Sequence, residues 1–269
     1  MAQSSHRLTT LRSHTFIHRF NEQSIIFDLG ANRGEFASQF SQRFPYGRIV
    51  VVEANPCLAA SAAERLRGVR GVSIVHAAVV GKHENGEVRF FLNPSNDEAS
   101  SIYRPLASVF HASENRPEKS DSESHGDNGC VVRAVTLTEL RDMFEVSKVD
   151  LVKMDVEGAE WDIFTHFGRA DCDAVGQISV EFHDFIDSSD RARTRDCVSR
   201  LRAFGYRFIH HRIDYLAGTP YGDCLFYKPH PNGLERLCEY VNAIEWTVGP
   251  RIHAAVAYIP RITKGLIRK

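Results

Sequence analysis

Nowhere in the 269 residues do about twenty apolar side chains run together, so no segment reads as a membrane-spanning helix. The first twenty residues carry Arg7, Arg12 and Arg19 in polar sequence and lack the continuous apolar stretch of a secretory signal. The six cysteines (Cys57, Cys130, Cys172, Cys197, Cys224 and Cys238) form no CxxC pair and stand at no zinc spacing with histidine. They read as reduced thiols of a cytoplasmic protein. A surplus of either charge is also missing: 33 basic and 34 acidic side chains leave a net charge of -1, so no global field draws the chain to nucleic acid or an anionic membrane. No internal repeat is evident. What is present is 43% hydrophobic content in a length suited to one sizeable α/β core with appendages.

The apolar pattern locates that core. Ile25 to Leu29 is a β-branched and aromatic run that stops at Gly30, as a buried parallel strand does. Phe36, Phe40 and Phe44 then recur at helical spacing until Pro45 and Gly47 break the pattern. Ile49 to Val52 predicts a second strand ending at Glu53, Leu58, Ala62 and Leu66 a second helix, and Val72 to Val80 a third apolar run. Glu87 to Leu92 adds a strand. Thr136-Leu137-Thr138-Glu139 has capping-box spacing. Beyond it the pattern predicts a strand over Val149 to Met154, a helix over Glu157 to Phe167, a strand over Ile178 to Phe182 and a helix over Asp190 to Phe204 closed by Gly205. Arg207 to Ile213 and Cys224 to Tyr227 complete the sheet. The alternation implies an α/β domain with a doubly wound, mostly parallel sheet.

Three parts follow: an N-terminal extension over 1–23, the α/β domain over 24–229 with a polar insertion near 94–129, and a basic amphipathic tail over 230–269. The insertion is rich in Ser, Asn, Asp, Glu and His, and reads as a mobile segment of the kind that covers active sites. The tail carries Arg251, Arg261, Lys264, Arg268 and Lys269 with no acid after Glu245. Packing on the domain is its simplest reading, and peripheral membrane contact or an acidic partner the alternative.

Asp28-Leu29-Gly30-Ala31-Asn32-Arg33-Gly34 places small residues where a strand turns into a helix, so a ligand can reach the backbone amides. Glu53 closes the second strand, where an acid commonly accepts hydrogen bonds from two ribose hydroxyls. A nicotinamide oxidoreductase shares this geometry, but its middle glycine is absent: Ala31-Asn32 follows Gly30 where a pyrophosphate needs bare backbone. S-adenosylmethionine carries no phosphates and makes no such demand. The backbone of Gly30, Ala31, Asn32 and Gly34 suits its amino-acid end, an acid such as Asp28 its sulfonium, and Glu53 with Ala54 its ribose, and Asp155 is a further donor-binding candidate. A module that binds this donor without catalysis is a further alternative.

Two pairs of residues spaced two apart close later strands, Asp155 with Glu157 and Glu181 with His183. Such residues face one side of a strand, and strands flanking the first would bring all four to the carboxyl edge of the sheet beside the donor. His183, with an ordinary pKa of about 6.5, is the candidate general base, and Glu181 and Asp155 are its candidate catalytic partners. The alternative gives Asp155, Glu157 and Glu181 to Mg²⁺ as oxygen ligands and is not favoured. Glu157 and Glu160 are expected in the first turn of a helix, where the dipole stabilises acids. Strand four ends in Asp155-Val156-Glu157-Gly158 and lacks the Asn-Pro-Pro-aromatic pattern of many base methyltransferases.

Together, Asp28-Leu29-Gly30-Ala31-Asn32-Arg33-Gly34, Val52-Glu53-Ala54-Asn55-Pro56, Val152-Lys153-Met154-Asp155-Val156-Glu157-Gly158-Ala159-Glu160 and Val180-Glu181-Phe182-His183 resemble, in order and spacing, the FkbM family of methyltransferases. The resemblance covers roughly Ser24 to Lys228. It implies a Rossmann-like class I methyltransferase sheet of seven strands with an antiparallel final strand, S-adenosylmethionine as donor, and O-methylation in polyketide or glycan pathways. It also puts Ser100-Ser101-Ile102 near donor and acceptor, with Ser100, Ser101 and Glu157 as substrate-binding candidates. One departure is Thr138, where the family often has an Asp after Thr-Leu. His210-His211-Arg212 reads as surface.

Overall fold

The computed structural model describes residues 8–45, 47–93, 100–102, 129–184, 190–210 and 223–230. Most of the polar insertion, the basic tail, and His211 and Arg212 lie outside the described residues. The chain opens with an antiparallel hairpin, β1 (Leu8–Leu11) and β2 (His14–Ile17). Then follow β3 (Ile25–Leu29), α1 (Glu35–Arg43), β4 (Arg48–Glu53), α2 (Pro56–Arg65) and β5 (Val72–His76). The run from Val72 to Val80 splits at Ala77: its second half, β6 (Ala78–Val79), pairs with β8 (Gly129–Val135), which also pairs with β7 (Glu87–Phe91), in a separate three-stranded sheet. The remainder is α3 (Leu137–Met143), β9 (Leu151–Met154), α4 (Glu160–His166), α5 (Arg169–Ala174), β10 (Gln177–Glu181), α6 (Asp190–Ala203), β11 (Arg207–His210) and β12 (Asp223–Tyr227).

The main sheet has seven strands in the order β5-β4-β3-β9-β10-β12-β11. The first five are mutually parallel, and β12 runs antiparallel to both its neighbours. The expected doubly wound sheet with an antiparallel final strand is therefore present. Alternation along β3 explains the two faces: Ile26 packs with Phe36, Phe40 and Ala62, whereas Phe27 and Leu29 pack with Trp161, Phe164 and Leu201. Strand order reverses between β3 and β9, which creates a crevice at the carboxyl ends of the strands.

The hairpin closes part of the first face. Phe16 joins the aromatic cluster with Phe36 and Phe40, and Leu8 and Ile17 pack against Ile209, Leu225 and Tyr227. The buried Gln177 amide fixes it in place, accepting from Ile17 N at 2.8 Å and donating to Ile17 O at 3.1 Å. At α3 the capping box is formed, with Thr136 accepting from Glu139 N and Glu139 accepting from Thr136 N.

Candidate functional site

At the first edge of the crevice, β3 stops at a turn held by β4: Gly30 N and Ala31 N both donate to Val52 O, at 3.0 and 3.1 Å. Gly30 has φ +67, and a Cβ there would lie 1.7 Å from the carbonyl oxygen of Asp155. Glycine is required because β9 passes directly against the turn. Glu53, at the end of β4, is 6% exposed. Its Oε2 accepts from Asn32 N and its Oε1 from Asn55 N, both at 2.8 Å, and each oxygen keeps a lone pair for a ligand hydroxyl. Burial raises its pKa, against the opposing pull of those N–H groups and Lys153. Asn55 and Pro56 start α2, with Asn55 Oδ1 accepting from Cys57 N.

Gly30, Asn32, Glu53, Ala54 and Leu58 line a cavity of ≈ 570 Å³ open to solvent, which continues along Ala77 to Val79 and Phe90 to Ser100, Asp155 and Glu157. Phe90, brought in by the smaller sheet, and the Ala77 to Val79 wall were not foreseen; the apolar run carried no sign that it would bend. Asp28 is a correction. It is fully buried, does not line the cavity, and faces Lys153 Nζ at 3.4 Å beneath the turn. Lys153 also donates to Gly30 O at 2.7 Å and lies 3.7 Å from Asp155. Burial pulls its pKa down, but Asp28, Asp155 and Glu53 outweigh that and raise it, so it is a fully charged lysine inside the sheet. A lysine in an otherwise apolar strand was the available signal for this role.

The second edge is built from charge. Asp155 lies 3.9 Å from His14 Nε2 and 3.7 Å from His183 Nε2. Burial pushes its pKa up, but Lys153, His14 and His183 prevail and hold the carboxyl well below its usual range. His14, 3% exposed, is the hairpin's contribution, with Nδ1 against Ser179 Oγ at 3.3 Å. No motif pointed to it.

Glu157 is not helical. It has φ +52, followed by Gly158 at φ +98, and α4 begins at Glu160. The expected first-turn position therefore holds for Glu160 alone. Fully buried Glu160 turns its Oε1 back onto the bend, accepting from Val156 N at 3.3 Å, Gly158 N at 3.2 Å and His183 Nδ1 at 2.9 Å. Ser101 Oγ donates to Glu157 O at 2.6 Å, and Ser100, which lines the cavity, accepts from Asn93 N at 3.1 Å.

His183 Nε2 faces Glu157 Oε2 at 3.3 Å. Burial pulls the ring's pKa down, yet Glu160, Glu157 and Asp155 together raise it well above its ordinary value. Three carboxylates around the buried ring thus favour its protonated form over the neutral imidazole expected of a base. Burial also pushes Glu157 up, with Asp155, Glu160 and Glu181 adding to the shift and His183 opposing it, to about 7. Two sets, His14 with Asp155 and Glu181, and Asp155 with Glu157 and His183, each bring ligand atoms within 4.8 Å of one another, close enough to share a cation. The Lys153 ammonium and the protonated His183 already supply positive charge to them.

A sheet of this order, with a glycine turn at the switch point and an acid closing the neighbouring strand, defines a Rossmann-like fold. The chain belongs to the FkbM family of methyltransferases: the model of the Methyltransferase FkbM domain matches residues 28–208. A curated relative, the AMB antimetabolite synthetase AmbE of Pseudomonas aeruginosa, is 31% identical over 112 residues, which is 41% of this chain. The match spans 5% of that relative's length.

Solved structures of similar shape include the precorrin-6y C5,15-methyltransferase of Geobacter metallireducens (14% identity, 78% of this chain and 83% of that one, TM-score 0.39). Aeropyrum pernix fibrillarin with natively bound S-adenosyl-L-methionine is another (13%, 77% and 66%, 0.41). A third is a putative O-methyltransferase from Klebsiella pneumoniae (14%, 76% and 73%, 0.40). At such identities, what these proteins bind says nothing about the residues here.

Proposed function

We propose that this chain transfers the methyl group of S-adenosylmethionine to a hydroxyl oxygen of a sugar, glycan or polyketide-type small molecule. The observation that carries the reading is one cavity with two walls: Gly30, Asn32 and Glu53 on one side, and Asp155, Glu157 and Ser100 on the other. The donor supplies a methyl carbon activated by a sulfonium. Glu53 would take the ribose hydroxyls and the Gly30 turn the backbone approach, a reading supported by Gly30, Asn32 and Glu53 lining one cavity.

An alcohol attacks poorly until its proton leaves, and a positioned acceptor for that proton contributes about 10²- to 10⁴-fold. The carboxylates of the second wall, Asp155 and Glu157, provide candidates. Among the described residues no helix is long and apolar enough to cross a membrane. The test is incubation with methyl-labelled donor and a panel of glycan and polyketide acceptors, read by mass spectrometry. Labelled product on a hydroxyl is expected. Label on nitrogen or carbon only, or no binding of the donor by calorimetry, would refute the reading.

A further inference from the structure

We propose that Glu157 is the catalytic base, aimed by His183, which Glu160 in turn holds, so that a carboxylate–imidazole–carboxylate array runs from the cavity wall into the core. The inference rests on the hydroxyl-methylation reading and identifies the proton acceptor within it.

The geometry singles out Glu157. It lines the donor cavity, whereas His183 and Glu160 stand behind it. Its backbone is pinned on every side in a conformation that a non-glycine residue rarely adopts. Ser101 holds its carbonyl, and Glu160 Oε1 accepts from the amides of Val156 and Gly158, immediately before and after it. Glu160 thus performs two tasks with one oxygen, fixing the bend that presents Glu157 and fixing the ring that contacts its carboxyl.

The other candidates have reasons not to accept the proton. Asp155 is committed to Lys153, His14 and His183, which stabilise its ionised form. His183 is surrounded by Glu160, Glu157 and Asp155, which favour its protonated form. Glu157 faces Asp155 from the end of β9, Glu160 from α4, and Glu181 and His183 from the end of β10, and only the last of these is cationic. Burial and its acidic neighbours bring its proton affinity near neutrality, where a general base works best.

In the step itself, the acceptor oxygen forms a bond to the methyl carbon while the carbon–sulfur bond breaks with its electron pair on sulfur. The hydroxyl proton passes to the Glu157 carboxylate, and from there to solvent through the open cavity.

The array can be tested without an acceptor, by carbon NMR of the full chain labelled at glutamate carboxyls, with and without saturating S-adenosylhomocysteine. One resonance, missing in Glu157→Gln, should titrate near neutral pH and move to higher pH in His183→Asn, which removes its one cationic neighbour. A Glu157 resonance that titrates in the usual carboxylate range and ignores His183→Asn would overturn the array.

Turnover on the acceptor found in the panel gives the second arm. Glu157→Gln should lose about 10²- to 10⁴-fold in kcat with donor affinity within about twofold, and Glu157→Asp should regain part of the loss. In Glu160→Gln, a positioning change, the pH profile should shift as well as the rate. Near-normal turnover of Glu157→Gln overturns the assignment, as does turnover abolished by EDTA and restored by Mg²⁺. Failure of the wild type to methylate any acceptor, with the neutral titration intact, would count against the proposed function and leave the array standing.

Discussion

The two walls of the cavity solve different problems with different chemistry. The β3 and β4 wall is made of backbone: a glycine turn, amides held on Val52 and Glu53, and one acid with free lone pairs. The wall beyond β9 is made of side-chain charge, with Asp155 and Glu157 on the cavity, His183 and Glu160 behind them and Lys153 beneath. Backbone geometry is rigid and nearly independent of pH, which suits recognition of a constant donor. Clustered charge shifts proton affinities, which suits a reaction that must move a proton. The contrast implies that changes at the first wall alter affinity and changes at the second alter rate.

Gly30→Ala should be the most damaging change, because it strikes both walls at once. A Cβ would collide with the Asp155 carbonyl at a left-handed backbone position. Donor binding should be undetectable by calorimetry and the melting temperature clearly lowered; a stable variant that binds the donor would contradict the close approach of β3 and β9. Lys153→Met comes next. It leaves buried Asp28 without its cation and releases the Gly30 carbonyl, so denaturation should show a loss of about 3–5 kcal/mol. A neutral outcome would mean that the lysine does not join the two walls.

Glu53→Gln should confine its effect to the first wall. Losing charge-assisted hydrogen bonds costs about 1.5–3 kcal/mol, or roughly tenfold or more in donor Kd, with the kcat of the saturated enzyme little changed. The smallest effect is the change in stability at Glu157. Its folded pKa is raised from 4.5 to about 7, so the folded state holds a proton that the unfolded chain releases, and stability falls as pH rises through that window. Glu157→Gln should therefore melt higher than wild type at pH 8 by about 2–4 °C, equivalent to about 1 kcal/mol for a partly exposed group, and equally at pH 4. A variant less stable at pH 8 would reverse the sign of the argument.

The first wall was largely legible in the sequence, because its information is local. A strand stopping at Gly30, an acid closing the next strand and Asn55-Pro56 at a helix start are read within a few residues of each other. Asp28 was misplaced, since its partner Lys153 lies 125 positions away and only pairing of β3 with β9 brings them together. The second wall was legible in its membership and not in its electrostatics. Glu157 looked helical because the turn at Glu157 and Gly158 is imposed by Ser101 and Glu160. His183 looked neutral because three carboxylates meet it only in the fold. The hairpin was hidden by its shortness: Leu8–Leu11 and His14–Ile17 are four residues each, and their burial depends on Gln177 and Tyr227.

The division of labour between the walls is tested most directly by a crystal structure of the chain with S-adenosylhomocysteine and its acceptor. The account predicts both ribose hydroxyls on Glu53 and the sulfur turned toward the opposite wall, with the acceptor hydroxyl hydrogen-bonded to the Glu157 carboxylate. A ribose away from Glu53, or an acceptor hydroxyl bound to a metal ion or to another side chain while Glu157 stands aside, would contradict it.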